Sequence, residues 1–239
     1  MTTEEFSNEF DSLLNSYSNN LEFGHIHVLE CDEYEKSVFL TKAQEDIVKE
    51  LYNGKNPYGD SFEKTEELRR YLSNLIKTKK YDSPTNINNS INESEKLYSN
   101  SILFTLPSDV WFITYESVDF EDDSLGCKNG TNICVVPVTQ DDFSRIMKNP
   151  FRGPNERRVL RLDADNGNIE LISKYNIKNY IIRYLKQPNP IILIDLPVEL
   201  QINGEHNKTE CELNPVIHRT ILERAVKLAL LSRVSNAGK

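Results

Sequence analysis

Nine glycines and four cysteines occur in this 239-residue chain, and neither type gathers into a motif. The glycines are dispersed and no Gly-x-x-x-x-Gly-Lys run occurs. That excludes the loop in which backbone N–H groups wrap a nucleotide's phosphates. Gly-x-Ser-x-Gly is missing, and no cysteine sits beside a histidine. A serine or cysteine nucleophile needs such an activating neighbour. No Cys-x-x-Cys pair occurs, so a zinc knuckle has no seed. Long apolar runs are also lacking. Ile191–Ile194 has the length of a strand, against the roughly 18–20 residues that cross a bilayer. The start, Thr2-Thr3-Glu4-Glu5, is acidic and polar, and no secretory leader is expected from it. Without a leader, Cys31, Cys127, Cys134 and Cys211 are read as reduced, half-buried side chains. The glycosylation-like triplets at Asn88, Asn92, Asn129 and Asn207 are chance matches in an Asn-rich chain.

What is present is charge, unevenly placed. The formal net charge is -9 and the mean hydropathy is -0.53. This balance argues against general affinity for nucleic acid. The charged residues from Met1 to Phe23 are Glu4, Glu5, Glu9, Asp11 and Glu22, all acidic. Those from Pro215 to Lys239 are Arg219, Glu223, Arg224, Lys227, Arg233 and Lys239, mainly basic. Ends of opposite sign can steer one copy onto another; ordinary solvated helix faces are the plainer reading. Midway, Arg152, Arg157, Arg158 and Arg161 cluster around Pro150-Phe151-Arg152-Gly153-Pro154. Arginine can clamp phosphate, but proline and glycine mark an extended surface loop, and pairing with an acidic loop of a neighbouring subunit is the favoured reading. The candidate interface residues are therefore Glu4, Glu5, Glu9, Asp11, Arg152, Arg157, Arg158, Arg219, Arg224, Lys227 and Arg233.

Apolar periodicity predicts three opening helices. The first covers Thr3 to Ser18, with Phe6, Phe10, Leu13, Leu14 and Tyr17 on one stripe. The second covers Glu33 to Tyr52 and stops at Asn53-Gly54. The third covers Phe62 to Lys77, with Leu68, Tyr71, Leu72, Leu75 and Ile76 inward, after the turn Asn56-Pro57-Tyr58-Gly59. Tyr81 to Asn100 is polar and reads as a linker. Strands are expected at Leu103–Leu106, Val110–Val118, Ile133–Val138, Val159–Leu162, Asn168–Ile172, Tyr180–Leu185 and Pro190–Leu196. Asn166-Gly167 and Asn203-Gly204 suit type I′ hairpins, the second joining Glu199–Ile202 to Lys208–Glu212. Thr139 should cap a short helix reaching Met147. Asn214 and Pro215 should open the final helix, His218 to Ser232.

The expected fold is α+β: an antiparallel helical bundle of three N-terminal helices plus the C-terminal helix, with an inserted antiparallel β-rich domain. Residues 1–80 form the first part of the bundle, 81–100 a polar linker, 101–213 the insertion and 214–239 the closing helix.

Chemistry is sparse. Asp163-Ala164-Asp165-Asn166-Gly167 looks like a calcium loop, but its glycine falls one position early and Lys174 stands where a bidentate Glu is required. His25, His27 and Cys31 lack a nearby fourth zinc ligand. His206 and His218 are isolated and read as surface or interface residues. The acidic run Glu121-Asp122-Asp123, with Asp163 and Asp165, would suit a metal-dependent phosphodiester hydrolase; a solvated acidic loop is the simpler reading. A DNA-binding module using Arg152, Arg157, Arg158 and Arg161 is a further alternative. Neither cofactor nor metal is expected.

Several segments together resemble one family. They are Glu33-Tyr34-Glu35-Lys36-Ser37-Val38-Phe39-Leu40-Thr41-Lys42-Ala43-Gln44, Asn149-Pro150-Phe151-Arg152-Gly153-Pro154 and Val159-Leu160-Arg161-Leu162, followed by Tyr184-Leu185-Lys186 with Pro188, Pro190-Ile191-Ile192-Leu193, Cys211-Glu212-Leu213 and His218. This set is similar to the head-to-tail connector, or ring, proteins of crAss-like short-tailed bacteriophages. Leu21 to Glu30 and the stretch near Asn88 carry no part of the resemblance. It implies a structural virion protein with no catalytic residues. Such a subunit forms a ring, twelvefold by the family pattern, under the portal. Its implied partners are copies of itself, the portal, other tail ring or hub proteins and passing DNA, without a membrane.

Overall fold

The structure, a computed structural model, describes residues 1–20, 30–55, 59–82, 101–130, 132–164 and 167–237. His25, His27, Asn88, Asn92, Asp165, Asn166 and most of the polar linker lie outside the described residues. The chain forms two compact units, Met1–Leu75 with Pro188–Lys239, and Ile76–Gln187.

The first unit is built on three long helices. α1 (Thr3–Asn20) buries Phe6, Phe10 and Leu14 at 3.6-residue spacing. Thr2 and Glu5 cap its start reciprocally, Glu5 accepting from Thr2 N at 2.8 Å and Thr2 Oγ1 from Glu5 N at 3.2 Å. α2 (Glu33–Asn53) is capped by Asp32, which accepts from Glu35 N, and ends at Gly54 with φ 71°. That left-handed angle suits glycine because it has no Cβ to collide with the carbonyl. α5 (His218–Ala237) follows a single 3₁₀ turn, Pro215–Ile217, capped by Asn214. Ile221, Leu222, Ala225, Val226 and Ala229 of α5 are buried, and α5 packs on α1 and α2.

The expected third bundle helix does not form, so the antiparallel bundle of three N-terminal helices plus the C-terminal one is corrected. Only Glu66–Tyr71 is α-helical (α3), followed by a 3₁₀ turn at Ser73–Leu75. From Ile76 the chain enters the sheet of the second unit. Leu68, Leu72 and Leu75 do bury together, which is why the stripe looked helical. Beyond them, Ile76-Lys77-Thr78-Lys79-Lys80-Tyr81-Asp82 pairs residue for residue with a later strand. Backbone partners seven residues long outweigh a weak helical preference.

Residues 190–212 are corrected as well. Pro190–Leu196 is not a strand, and the Asn203-Gly204 turn carries no hairpin. The turn itself exists, with φ 51° at Asn203 and 87° at Gly204. Around it are only single bridges, Ile202 with Glu205 and Ile192 with Thr209. Three backbone groups around the start of this stretch, Asn189 O, Ile191 N and Leu193 N, are held by side chains of α2, described below.

The second unit is a seven-stranded sheet in the order β1-β7-β3-β4-β5-β6-β2. Its strands are β1 (Ile76–Asp82), β2 (Ser101–Thr105), β3 (Val110–Phe120), β4 (Ile133–Pro137), β5 (Arg158–Asp163), β6 (Asn168–Ile172) and β7 (Ile177–Lys186). β4 and β5 are parallel, joined through α4 (Gln140–Met147), so the sheet is mixed where an antiparallel one was expected. β3 carries three register shifts against β7, and bulges of this kind add twist and curl. The sheet curls until its two end strands meet. Tyr81 of β1 lies 5.6 Å from Phe104 of β2, ring to ring, and donates its hydroxyl to Thr105 O at 2.9 Å. Inside the curl Tyr81, Phe104, Tyr180, Val118 and Val159 form one apolar core. Outside it, Phe143, Ile146 and Met147 of α4 cover Leu160, Leu162 and Ile172. The edge strand β1 exposes Lys77, Lys79 and Lys80, whose charges oppose unwanted strand pairing.

Candidate assembly surfaces

In α2 the residues Ser37, Thr41 and Gln44 sit at i, i+4 and i+7 on a buried face. Each holds backbone of the Asn189–Leu193 segment. Ser37 Oγ accepts from Leu193 N at 3.0 Å, and Thr41 Oγ1 from Ile191 N at 3.1 Å. Gln44 Nε2 donates to Asn189 O at 2.8 Å. Three side chains thus replace the sheet ladder that this extended segment lacks. Cys211 Sγ donates to Gln44 Oε1 at 3.2 Å, and burial pushes its thiol up to about 11. Cys31 is buried, while Cys127 and Cys134 are exposed, not half-buried as expected.

Beside this segment α1 presents an acidic face. α1 carries Glu4, Glu5, Glu9 and Asp11 and no basic residue. Glu4 and Glu5 are exposed and Glu9 is half-buried. Asp11 turns inward, accepting from Lys36 Nζ at 2.7 Å. That ammonium is buried and also reaches Glu33 at 2.8 Å and Ser7 at 3.1 Å. Burial disfavours the charge on Lys36, but hydrogen bonds and attraction from Asp11 and Glu33 outweigh it and raise the pKa. Between α1 and the following segment lies a depression of about 410 Å³, lined by Glu4, Ser7, Glu33, Ile194 and Lys208 among others. Ile194 is 48% exposed there.

The arginine loop joins α4 to β5 and is locked by its own backbone. Asn149 accepts from Phe151 N through Oδ1 at 2.9 Å, and through its carbonyl from Arg152 N and Gly153 N at 3.1 and 3.0 Å. Arg158 Nη1 donates to Phe151 O at 3.1 Å and Arg152 O at 3.3 Å. Arg158 is therefore a brace inside the loop. Gly153 and Pro154 are buried, Arg152 and Arg157 are exposed, and Phe151 is 84% exposed. Arg161 belongs elsewhere. It is nearly buried on β5, with Nη1 donating to Glu116 Oε2 at 2.7 Å and Nε 3.1 Å from Asp163. Tyr180 donates its hydroxyl to the other oxygen of Glu116. Burial first, then the Glu116 charge, pushes that phenol far up.

On α5, Arg219 and Lys227 are exposed, and Arg224 forms an ion pair with Glu50 at 2.8 Å in the same unit. The side chain of Arg233 lies outside the described residues. His218 is buried rather than at the surface, its Nε2–H donating to Leu213 O at 2.9 Å. Burial lowers its pKa, against the pull of that carbonyl.

Of the acidic residues considered for metal chemistry, Glu121 and Asp122 have local roles. Asp122 accepts from Ser124 N at 2.9 Å and Asn176 N at 3.0 Å, and Glu121 pairs with Lys178 at 3.0 Å. Ser124 first, then these backbone groups, lowers the Asp122 pKa. Among the described residues no three His, Cys, Asp or Glu side chains converge in a metal-binding group, and no helix is long and apolar enough to cross a membrane.

The geometry offers rigid surfaces carrying charge and apolar anchors. The family model for phage tail ring protein 3/4 matches residues 1–239. The chain belongs to that family. It is 51% identical over 239 residues to Ring protein 3 of Bacteroides phage crAss001, covering 100% of this chain and 99% of the relative. It is 35% identical over 238 residues to Ring protein 4/5 of the same phage, covering 96% and 92%. This tail ring protein is thus a structural virion component of a crAss-like phage.

Sequence reading missed two features of the ring protein. One is the polar stripe Ser37, Thr41 and Gln44, signalled by hydrogen-bonding residues at helical spacing among apolar ones. The other is Phe151, whose position between Pro150 and Arg152 in a polar loop leaves it no core to enter.

Proposed function

We propose that this protein is one subunit of a closed, twelvefold ring in the connector between portal and tail, where it extends the DNA channel. The observation that carries this reading is the full-length family match together with relatives named ring proteins. A cyclic ring of identical copies needs a heterologous interface, one face meeting a different face of the next copy. The exposed acids Glu4 and Glu5, with half-buried Glu9, supply one face, and Arg152 and Arg157 supply an opposite charge on a different unit. Exposed Arg219 and Lys227 on α5 are a second basic face, for self-association or for another ring or hub protein. A net charge of -9 suits a conduit to which passing DNA does not adhere. The subunit acts without catalysis or cofactor and is placed in the virion after assembly in the host cytoplasm.

Electron microscopy of the purified chain, alone and mixed with the portal protein of the same phage, tests this. Closed rings of uniform diameter are expected. A chain that stays monomeric in both conditions would overturn the reading.

A further inference from the structure

We infer that the Phe151 loop of one copy seats in the Ile194 depression of the next copy, with Arg152 and Arg157 facing Glu4, Glu5 and Glu9. This contact rests on the ring reading above and specifies which faces meet.

The loop has the character of a preorganised anchor. Phe151 is 84% exposed, yet its backbone is fixed on both sides, by Asn149 and by the Arg158 brace. A large apolar side chain held in solvent by a rigid loop loses little conformational freedom on binding, which is how an anchor gains affinity. Aromatic and arginine side chains are the residue types that dominate interface energies. Here they are adjacent, as Phe151 and Arg152, with exposed Arg157 nearby in sequence.

The depression has the complementary character. Its volume of about 410 Å³ lies within the roughly 300–1,000 Å³ of concave sites that enclose a ligand-sized group. Ile194 supplies an exposed apolar wall, and Glu4 stands at the rim. α1 beside it has acidic residues and no basic one. A second copy is the occupant these observations select, because knob and hollow differ in shape and the basic loop is opposite in charge to the acidic α1 beside the hollow, whose lining also holds Lys208. Run head to tail, such a pairing builds a ring where its rotation closes and a filament where it does not.

The test uses the full chain under conditions in which rings form. With Phe151→p-benzoylphenylalanine, irradiation should yield inter-subunit adducts that map to the peptide containing Ile194 or to α1. Phe151→Ala should weaken assembly by roughly tenfold or more, with an unchanged melting temperature showing that the monomer folds. Arg157→Glu and Glu4→Arg should each weaken assembly, and the double variant should recover it. Rings that persist in Phe151→Ala, or adducts that map to another face, would overturn the contact and leave the ring reading standing. A wild-type chain that assembles neither alone nor on the portal would overturn both. Adducts formed within a single copy would also overturn the contact.

Discussion

Thr41 Oγ1 accepts a hydrogen bond from Ile191 N at 3.1 Å, across 150 residues of chain. Ser37 does the same for Leu193 N at 3.0 Å. Both bonds are buried. Thr41→Val keeps the shape of the side chain and leaves a buried N–H without its partner. The expected loss is about 1–3 kcal/mol, read as a lower urea midpoint at unchanged slope. Ser37→Ala should cost a similar amount.

Lys36 joins α2 to α1 through Asp11 while also holding Glu33. Its side chain is 4% exposed, but Asp11 is 46% exposed, so solvent screens part of the attraction. Lys36→Met should lower stability by about 1–3 kcal/mol. The folded pKa lies above its ordinary value. The associated stability is fully present below about pH 10.4, the unfolded lysine value, and is lost as pH rises through the folded pKa. Alkaline unfolding of Lys36→Met should lack that component.

Glu116 and Arg161 pair at 2.7 Å with side-chain exposures of 7% and 11%. Arg161→Leu strands the Glu116 carboxylate and should destabilise the protein by about 3–5 kcal/mol. Glu116→Gln with Arg161→Leu should recover a large part of the loss, since no buried charge remains unpaired. A double-mutant cycle on thermal unfolding measures this coupling.

His218 is buried and its pKa is lowered. Its unfolded counterpart titrates near pH 6.5. As pH falls below that value the unfolded state takes up the proton first, so stability declines. His218→Gln should flatten the acid limb of the stability profile below about pH 6.5.

The thiols should separate by exposure. Cys127 and Cys134 are exposed, Cys31 is buried, and the Cys211 thiol is pushed up to about 11 by burial. An aromatic disulfide reagent at about pH 8 should modify Cys127 and Cys134 in the native protein, with Cys31 and Cys211 reacting on unfolding.

The helices α1, α2 and α5 were legible in the sequence because each holds a continuous apolar stripe, α2 stops at Asn53-Gly54 and α5 carries a plain start signal, Asn214 with Pro215. The same local logic failed at Phe62–Lys77, where Leu68, Leu72 and Leu75 continue a helical spacing that the backbone abandons. It failed again at Pro190–Leu196, where apolar β-branched residues form no strand. In both places the deciding partner is distant in sequence: β7 for Ile76–Asp82, and the α2 hydroxyls for Ile191 and Leu193.

The candidate interface shows the same division. Charge sign was readable residue by residue, so the acidic α1 and the arginine loop stood out. Which charges remain available was decided by folding, because burial and partner geometry depend on what packs alongside. Asp11 goes to Lys36, Arg158 to its own loop and Arg224 to Glu50, while Glu4, Glu5, Arg152 and Arg157 face solvent. Sequence alone determined the family-bearing segments, the helical stripes and the asymmetry of charge, all of which are local properties. The tertiary structure decided sheet order, the curl that brings Tyr81 to Phe104, and the pairing of Glu116 with Arg161, because each is set by contacts between residues that the chain itself keeps far apart.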